Sequence, residues 1–456
     1  MLVRNIPFSE LEVGMSASET RLCRADDFYI FANASGDHNP LHMPNDGDDS
    51  ETEATAPGMW VASLISAVLG NKLPGPETLY HQQTLRFFKR ATAGDTLTAH
   101  VRLLAKGPDR LARFETWVET AEGERILEGE AEVITPETSH AYEMSDVPGL
   151  TVRRHRHFDQ LLAAAQHFAP LRTAVVAPEK RDALTGPVLA AEHGLIEPIL
   201  VGDPVKIRSE AEEDRLDISK FEIVEALTHE SAAARGVELV HDGAVAALMK
   251  GHLHTDVLLS AVVQKDTGLR MGRRVSHAFV MDVPGLDHPL MVTDAAINIA
   301  PDLKTKADIV QNAIDLAISV GVENPRVGVL AAVETVNPAI PSTLDAALLS
   351  KMAERGQITG GLVDGPLAMD NAVDLGAART KGITSSVAGQ AQILVAPNLD
   401  AGNMIAKQLT YLAHAEAAGL VLGCKCPIIL TSRADSAKAR LSSCALAVLA
   451  HEGVKP

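Results

Sequence analysis

Asp37 and His42 stand five residues apart in the phrase Ser35-Gly36-Asp37-His38-Asn39-Pro40-Leu41-His42, with Pro40 between them. Proline removes a helical hydrogen bond, clashes with the preceding turn and drives Asn39 toward extended geometry. The segment therefore folds back, and the carboxylate and the imidazole can reach one small volume. An acid and a histidine sharing a water are what adding or removing water across a double bond requires. One group moves the water's proton and the other returns a proton to the substrate. The same proline interrupts the helix that would align His38 and His42 as an i, i+4 pair of metal ligands, so no metal is expected there.

The elements that must position this turn show two rhythms. From about residue 76 to 136 the pattern has period two. Leu97, Ala99, Val101 and Leu103 alternate with Thr98, His100 and Arg102, and Leu127, Gly129, Ala131 and Val133 alternate with glutamates. That predicts an antiparallel sheet with one buried and one wet face. Ahead of it, Met59 to Leu69 reads as a helix apolar on nearly every side, to be wrapped by sheet or by a partner subunit. One central helix wrapped by an antiparallel sheet is the α+β hotdog architecture.

After about residue 150, short β-branched runs (Thr173–Ala177, Pro198–Val201, Val275–Met281, Arg326–Leu330, Gln392–Val395, Pro427–Thr431) alternate with helical stretches at Thr305–Val320, Ser342–Arg355 and Gly402–Ala418. This alternation predicts an α/β half with a mostly parallel sheet covered on both faces. Its length suits two lobes around a cleft. The domains are expected at 1–145 and 157–456, joined by a linker at 146–156 that carries Pro148, Gly149 and the basic run Arg153-Arg154-His155-Arg156-His157.

Composition narrows the function. The 456 residues are 46% hydrophobic and 22% charged, a globular composition that calls for more than one core. A formal charge of -18 argues against nucleic-acid binding, which needs clustered cations. No apolar stretch reaches the roughly 20 residues of a membrane span, and residues 1–12 lack the apolar core of a secretory signal. A cytoplasmic location is expected. Cys23, Cys424, Cys426 and Cys444 are too dispersed for a disulfide framework and read as buried free thiols.

Residues 8 to 135 resemble the MaoC-like, (R)-specific enoyl-CoA hydratases. The resemblance is carried by Phe28–His42 (FYIFANASGDHNPLH), Gly58–Leu69 (GMWVASLISAVL) and Leu85–Thr98 (LRFFKRATAGDTLT). It implies a hotdog fold, usually dimeric, that adds water to a trans-2-enoyl-CoA. Asp37 and His42 fall on the family's catalytic pair. The resemblance also puts Asn39, Gly58 and Met59 in the substrate site, with N–H groups at the start of the helix polarising the thioester carbonyl. A helix N-terminus suits that role because its N–H groups are unpaired and partially positive. This sequence departs from the family at Pro57, where His is common, and in the acidic stretch Asn45 to Ala56. Both changes bear on the substrate mouth.

Residues 157 to 452 resemble the phosphate acetyltransferase/phosphate butyryltransferase family. The carrying phrases are Leu248–Thr255 (LMKGHLHT), Gly268–Met281 (GLRMGRRVSHAFVM), Leu362–Val373 (LVDGPLAMDNAV), Ile393–Lys407 (ILVAPNLDAGNMIAK) and Ile428–Ser436 (IILTSRADS). The implied fold is a two-lobed, isocitrate-dehydrogenase-like α/β domain. The implied reaction is acyl-CoA plus phosphate to acyl phosphate plus CoA, with CoA thioesters and inorganic phosphate as substrates and no tightly bound cofactor or metal. Arg433 offers a planar fork for phosphate. Ser432 can donate to the thioester carbonyl or its oxyanion. Asp370, Asn398, Asn403 and Lys407 are the implied substrate-binding residues, the last three on a strand–loop–helix whose N-terminus suits an anion.

Phosphate acetyltransferases carry an Asp about two turns after the Ser-Arg pair, where this chain has Ala439. Asp435 comes one turn earlier, as base for the CoA thiol or as an N-cap or first-turn carboxylate stabilising the following helix, and the sequence leaves both readings open. His252 and His254 read as polar cleft residues. No glycine-rich nucleotide loop is present.

The combined expectation is a bifunctional CoA-thioester enzyme, at least a dimer. Two alternatives stand beside it: a second half that is an acyl-CoA-sensing or assembly module without turnover, and a dehydrogenase on the related two-lobed fold, which lacks an evident cluster of metal-binding aspartates.

Overall fold

A computed structural model of the chain describes residues 2–43, 54–143, 150, 152, 155–431 and 435–453. The chain divides into two compact units, residues 1–152 and 153–456.

In the first unit the strands Ser16–Leu22, Thr96–Lys106, Leu111–Thr120, Arg125–Ile134 and Leu79–Gln83 lie in that order as an antiparallel sheet. The short strand Arg86–Phe87 also pairs with Arg125–Ile134. The period-two pattern does what it predicts: Leu97, Ala99, Val101 and Leu103 are buried, as are Leu127, Ala131 and Val133. They meet the helix Gly58–Asn71, which buries Trp60, Val61, Leu64, Ile65, Val68 and Leu69. Phe28, from the helix Ala25–Ser35, meets Trp60 edge to face at 5.3 Å. Within this unit the sheet covers half of the central helix, and Met59, Ser63 and Ser66 stay exposed.

The second unit is built on one eleven-stranded sheet. Its first wing runs Glu222–Glu225, Ile196–Gly202, Leu171–Val176, Ala247–Lys250 and Ile428–Ile429, all parallel. Glu416–Leu422 and Ser276–Asp282 form an antiparallel centre. Leu290–Thr293, Ile393–Val395, Arg326–Leu330 and Leu362–Leu367 form a second parallel wing, antiparallel to the first. Helices Leu303–Ser319 and Ala437–Gly453 cover one face of the centre, sharing a core with Ala278, Val280, Ala418 and Leu420. His229–His241 and Thr255–Val262 pack on the other face of the first wing against Val421 and Ile428. Among the described residues, no helix is long and apolar enough to cross a membrane.

One expected helix is shorter. In place of Gly402–Ala418 the helix is Leu399–Leu412, and Glu416–Leu422 is a central strand. The alanine-rich run has high helix propensity, but His414 turns the chain at φ +56° and the strand takes up the ladder hydrogen bonds of both neighbours.

Candidate active sites

The Asp37–His42 turn is built from its own backbone. Gly36, at φ +78°, ends the helix Ala25–Ser35 in a left-handed conformation that other residues adopt at a cost. The N–H of Asp37 donates to Ser35 Oγ (3.2 Å), and the N–H of Asn39 to Asp37 Oδ1 (3.2 Å). Asn39 Oδ1 in turn accepts the N–H of Leu41 at 3.1 Å, and Pro40 opens a single 3-10 turn, Pro40–His42. Asn39 therefore shapes the turn as well as lying beside it.

His42 Nδ1 lies 2.8 Å from the carbonyl of Thr55, a contact that requires the proton on Nδ1, so that the neutral ring keeps its lone pair on Nε2. Nε2 faces Asp37 Oδ2 at 4.0 Å. That gap is too long for a direct hydrogen bond and suits a water contacting both groups. Pro57 precedes the central helix, and its carbonyl accepts the first helical bond, from Val61 N–H at 3.1 Å. The N–H groups of Gly58, Met59 and Trp60 come before that bond, at the positive end of the dipole. A Cβ at Gly58 would stand 3.2 Å from the Phe87 ring. Met59 is exposed at the same helix end. Within the acidic stretch Asn45 to Ala56, residues 45–53 lie outside the described residues.

In the second unit, Ser432 and Arg433 lie outside the described residues. Leu248 and Met249 pair in register with Ile428 and Ile429, so Gly251 and His252 leave the sheet on the same side as Thr431. The Gly251 N–H donates to Val176 O and the His252 N–H to Ala177 O; a Cβ at Gly251 would come 2.4 Å from Val176 O, so only glycine fits. His252 thus stands at the strand ends on the side of Thr431, while His254 is the N-cap residue of the helix Thr255–Val262.

Asp435 precedes the helix Ala437–Gly453. Ser436 Oγ accepts the N–H of Ala439 at 3.0 Å and donates to Glu416 Oε2 at 2.7 Å. Ser436 therefore performs the capping that was one reading of Asp435. Ala439 is buried, so no carboxylate stands at that position. Nearby, Asp282 Oδ2 accepts the N–H of Phe158 at 2.9 Å, and burial pushes its carboxyl up.

The other expected residues are on the opposite wing. The strand Ile393–Val395 runs against Ile428–Ile429, so Asn398 and Asp435 leave their strands in opposite directions. Asn398 is the N-cap of Leu399–Leu412, its Oδ1 accepting Ala401 N–H at 3.0 Å. Asn403 Nδ2 donates to Ala295 O at 3.2 Å; Lys407 and Asp370 are exposed.

Two polar groups escaped the sequence reading. Beside His252, the buried Glu179 accepts Asp203 N–H at 3.1 Å and faces Lys206 Nζ at 3.4 Å and His229 Nε2 at 3.9 Å. The His229 and His252 rings are 6.4 Å apart. On the other wing, Asp294 accepts N–H groups of Ala296, Ile297 and Asn298 and the Asn298 amide. The available signal was an acid within three residues of an apolar strand end, in Val175-Val176-Ala177-Pro178-Glu179 and in Met291-Val292-Thr293-Asp294.

Residues 228–448 match the phosphate acetyl/butaryl transferase family. The phosphate acetyltransferase of Rhizobium meliloti is 59% identical over 292 residues, covering 64% of this chain and 92% of its own. A branched-chain phosphotransacylase from Enterococcus faecalis V583 is 27% identical with a TM-score of 0.54, covering 62% of this chain and 99% of that one. The R-hydratase PhaJ1 from Pseudomonas aeruginosa is 37% identical with a TM-score of 0.32, covering 34% of this chain and 100% of its own.

Proposed function

The chain belongs to the phosphate acetyl/butyryltransferase family, and from that premise we propose that it is a bifunctional CoA-thioester enzyme. Its second unit exchanges the CoA of an acyl-CoA for phosphate, and its first unit adds water reversibly to a trans-2-enoyl-CoA to give the (R)-3-hydroxyacyl-CoA. Family membership carries the first assignment. The 4.0 Å Asp37–His42 gap, at the mouth of a hotdog helix, carries the second.

In acyl transfer, Arg433 holds phosphate through its planar fork and Ser432 donates to the thioester oxygen as charge develops there. Phosphate oxygen bonds to the acyl carbon, the C–S bond breaks, and the sulfur leaves as CoA. We assign the exchange of the thiol proton to Asp435, which precedes the helix that Ser436 caps. The family resemblance assigns substrate binding also to Asn398, Asn403, Lys407 and Asp370 on the other wing, whose strand Ile393–Val395 runs in the opposite direction. Acetyl and longer acyl groups are both within the family's range. No bound cofactor or metal enters this scheme.

In hydration, Asp37 and His42 Nε2 hold one water. Its oxygen bonds to Cβ, and a proton from the pair reaches Cα. The N–H groups of Gly58 and Met59 stabilise the charge on the thioester oxygen, and Asn39 keeps the turn in register. The working form is at least a homodimer: the edge strand Leu79–Gln83 leaves Leu79 and Tyr80 exposed, and Met59 is exposed on the central helix. The substrates accord with a cytoplasmic protein.

Ala439, in place of an Asp, favours a second reading in which residues 153–456 bind acyl-CoA without turnover. One experiment separates these. Pure full-length chain is assayed for crotonyl-CoA hydration and for CoA release from short acyl-CoAs in phosphate buffer. Both activities are expected. Acyl-CoA binding by calorimetry with no phosphate-dependent release would establish the second reading, and absence of both activities would overturn the bifunctional one.

A further inference from the structure

We propose that a cavity in the second unit, used by neither reaction, is a binding site for an amphiphilic organic anion: an alkyl or ring body carrying a carboxylate or a phosphate. The cavity holds about 650 Å³, within the roughly 300–1,000 Å³ range of small-molecule sites. It lies between the ends of helices Leu303–Ser319 and Ala437–Gly453 and the loop Gly423–Pro427. That loop enters the strand Ile428–Ile429, whereas Asp435 follows the strand's exit. Likewise the cavity touches Ala450 and His451 near the end of a helix whose start adjoins Asp435. The cavity and Asp435 therefore sit at opposite ends of the same strand and helix.

The lining gives the ligand its two parts. Leu316, Val421, Leu422, Pro427 and Ala450 make an apolar wall. Cys424 and Cys426 complete it. Burial pushes the Cys424 thiol up to about 12 and Cys426 higher still, so both remain neutral and behave as small, polarizable apolar groups. The mouth is cationic. Arg273 and Lys425 line it, and Arg270 and Arg274 flank Arg273 in the exposed run Arg270-Met271-Gly272-Arg273-Arg274. In a chain of formal charge -18 this concentration runs against the overall balance. Three carboxylates answer it, among them Asp302, which interacts with Arg274. Asp315 pairs with Arg273, and Asp308 Oδ2 accepts the N–H of Arg274 at 2.9 Å. Lys425 Nζ meets a histidine, His241 Nδ1 at 3.3 Å. An anionic head at the mouth with an apolar body inside satisfies both surfaces.

The test titrates the full chain by calorimetry with decanoate and with decyl phosphate, the two head-group arms. Acetate and inorganic phosphate serve as head-only controls and decanol as the body alone. Gly272→Trp fills the mouth at a position where an added Cβ meets nothing within 4 Å. The double variant Arg273→Glu/Lys425→Glu reverses its charge. Saturable one-site binding of decanoate or decyl phosphate is expected, weakened at least about tenfold in each variant, with thermal melting unchanged; the tighter arm identifies the head group. No saturable binding of either, equal affinity in both folded variants, or binding by decanol or a head-only control as tight as by the amphiphile would overturn the proposal.

Discussion

At the scale of single residues, catalysis rests on which atoms are already committed. His42 Nδ1 is held by Thr55 O, so Nε2 is the nitrogen left to work on a water, and Asp37 faces it. Asp37→Asn keeps the shape but replaces a carboxylate oxygen with a donor. Crotonyl-CoA hydration should fall by about 10²–10⁴-fold, with phosphate-dependent CoA release unchanged; hydration within a few-fold of wild type would remove Asp37 from the mechanism. The same reasoning separates two neighbours at the other site. Ser436 caps the helix, so Ser436→Ala should cost about 1 kcal/mol of stability, read as a lowered Tm. Asp435→Asn should lower the rate of CoA release at saturating substrate by on the order of 10²-fold. A fall in Tm with full activity would instead return Asp435 to a structural role. The motif words pointed to both carboxylates, but only coordinates reveal that a serine takes the cap.

At the scale of elements, period two along Thr96–Lys106 and Arg125–Ile134 was legible because one face is wet and one dry. Strand–helix alternation likewise foretold the parallel wings. The central strand Glu416–Leu422 was not legible, because a strand buried on both faces carries no alternation and its alanines read as helix. Its antiparallel partner Ser276–Asp282 hides a further consequence. His277 there is 1% exposed, its Nδ1 has no hydrogen-bond partner among the described residues, and burial lowers its pKa to about 4, opposed by Asp294. The unfolded chain binds that proton near 6.5, so between pH 6.5 and about 4 the unfolded state holds more protons. The stability of a neutral, buried His277 is therefore complete above pH 6.5 and lost as pH falls toward 4. The loss amounts to about 3 kcal/mol. His277→Gln should shrink the drop in Tm between pH 7 and about pH 4.5; an equal drop in variant and wild type would show that other groups govern the acid limb.

At the scale of the whole molecule, the sequence divided the chain by rhythm and the structure divides it by compactness, at residue 152. Each unit has its own sheet and its own core, with the polar groups of each proposed reaction inside one unit. What stayed hidden in the sequence was how the second unit distributes its motifs. Asn398 and Asp435 follow strands of opposite direction, a property of strand order that no local pattern encodes. If each reaction draws only on its own unit, substitutions at the two sites should be additive, as for distant positions with no shared partners. Arg433→Ala should lower CoA release by about 10²–10³-fold and leave both kcat and KM for crotonyl-CoA hydration within about twofold. Asp37→Asn should show the reverse split, and the double variant should lose both activities while melting as the wild type does. A change in hydration KM caused by Arg433→Ala in a chain that still melts normally would mean that the two reactions share a substrate-binding element, and the assignment of one reaction to each unit would fall.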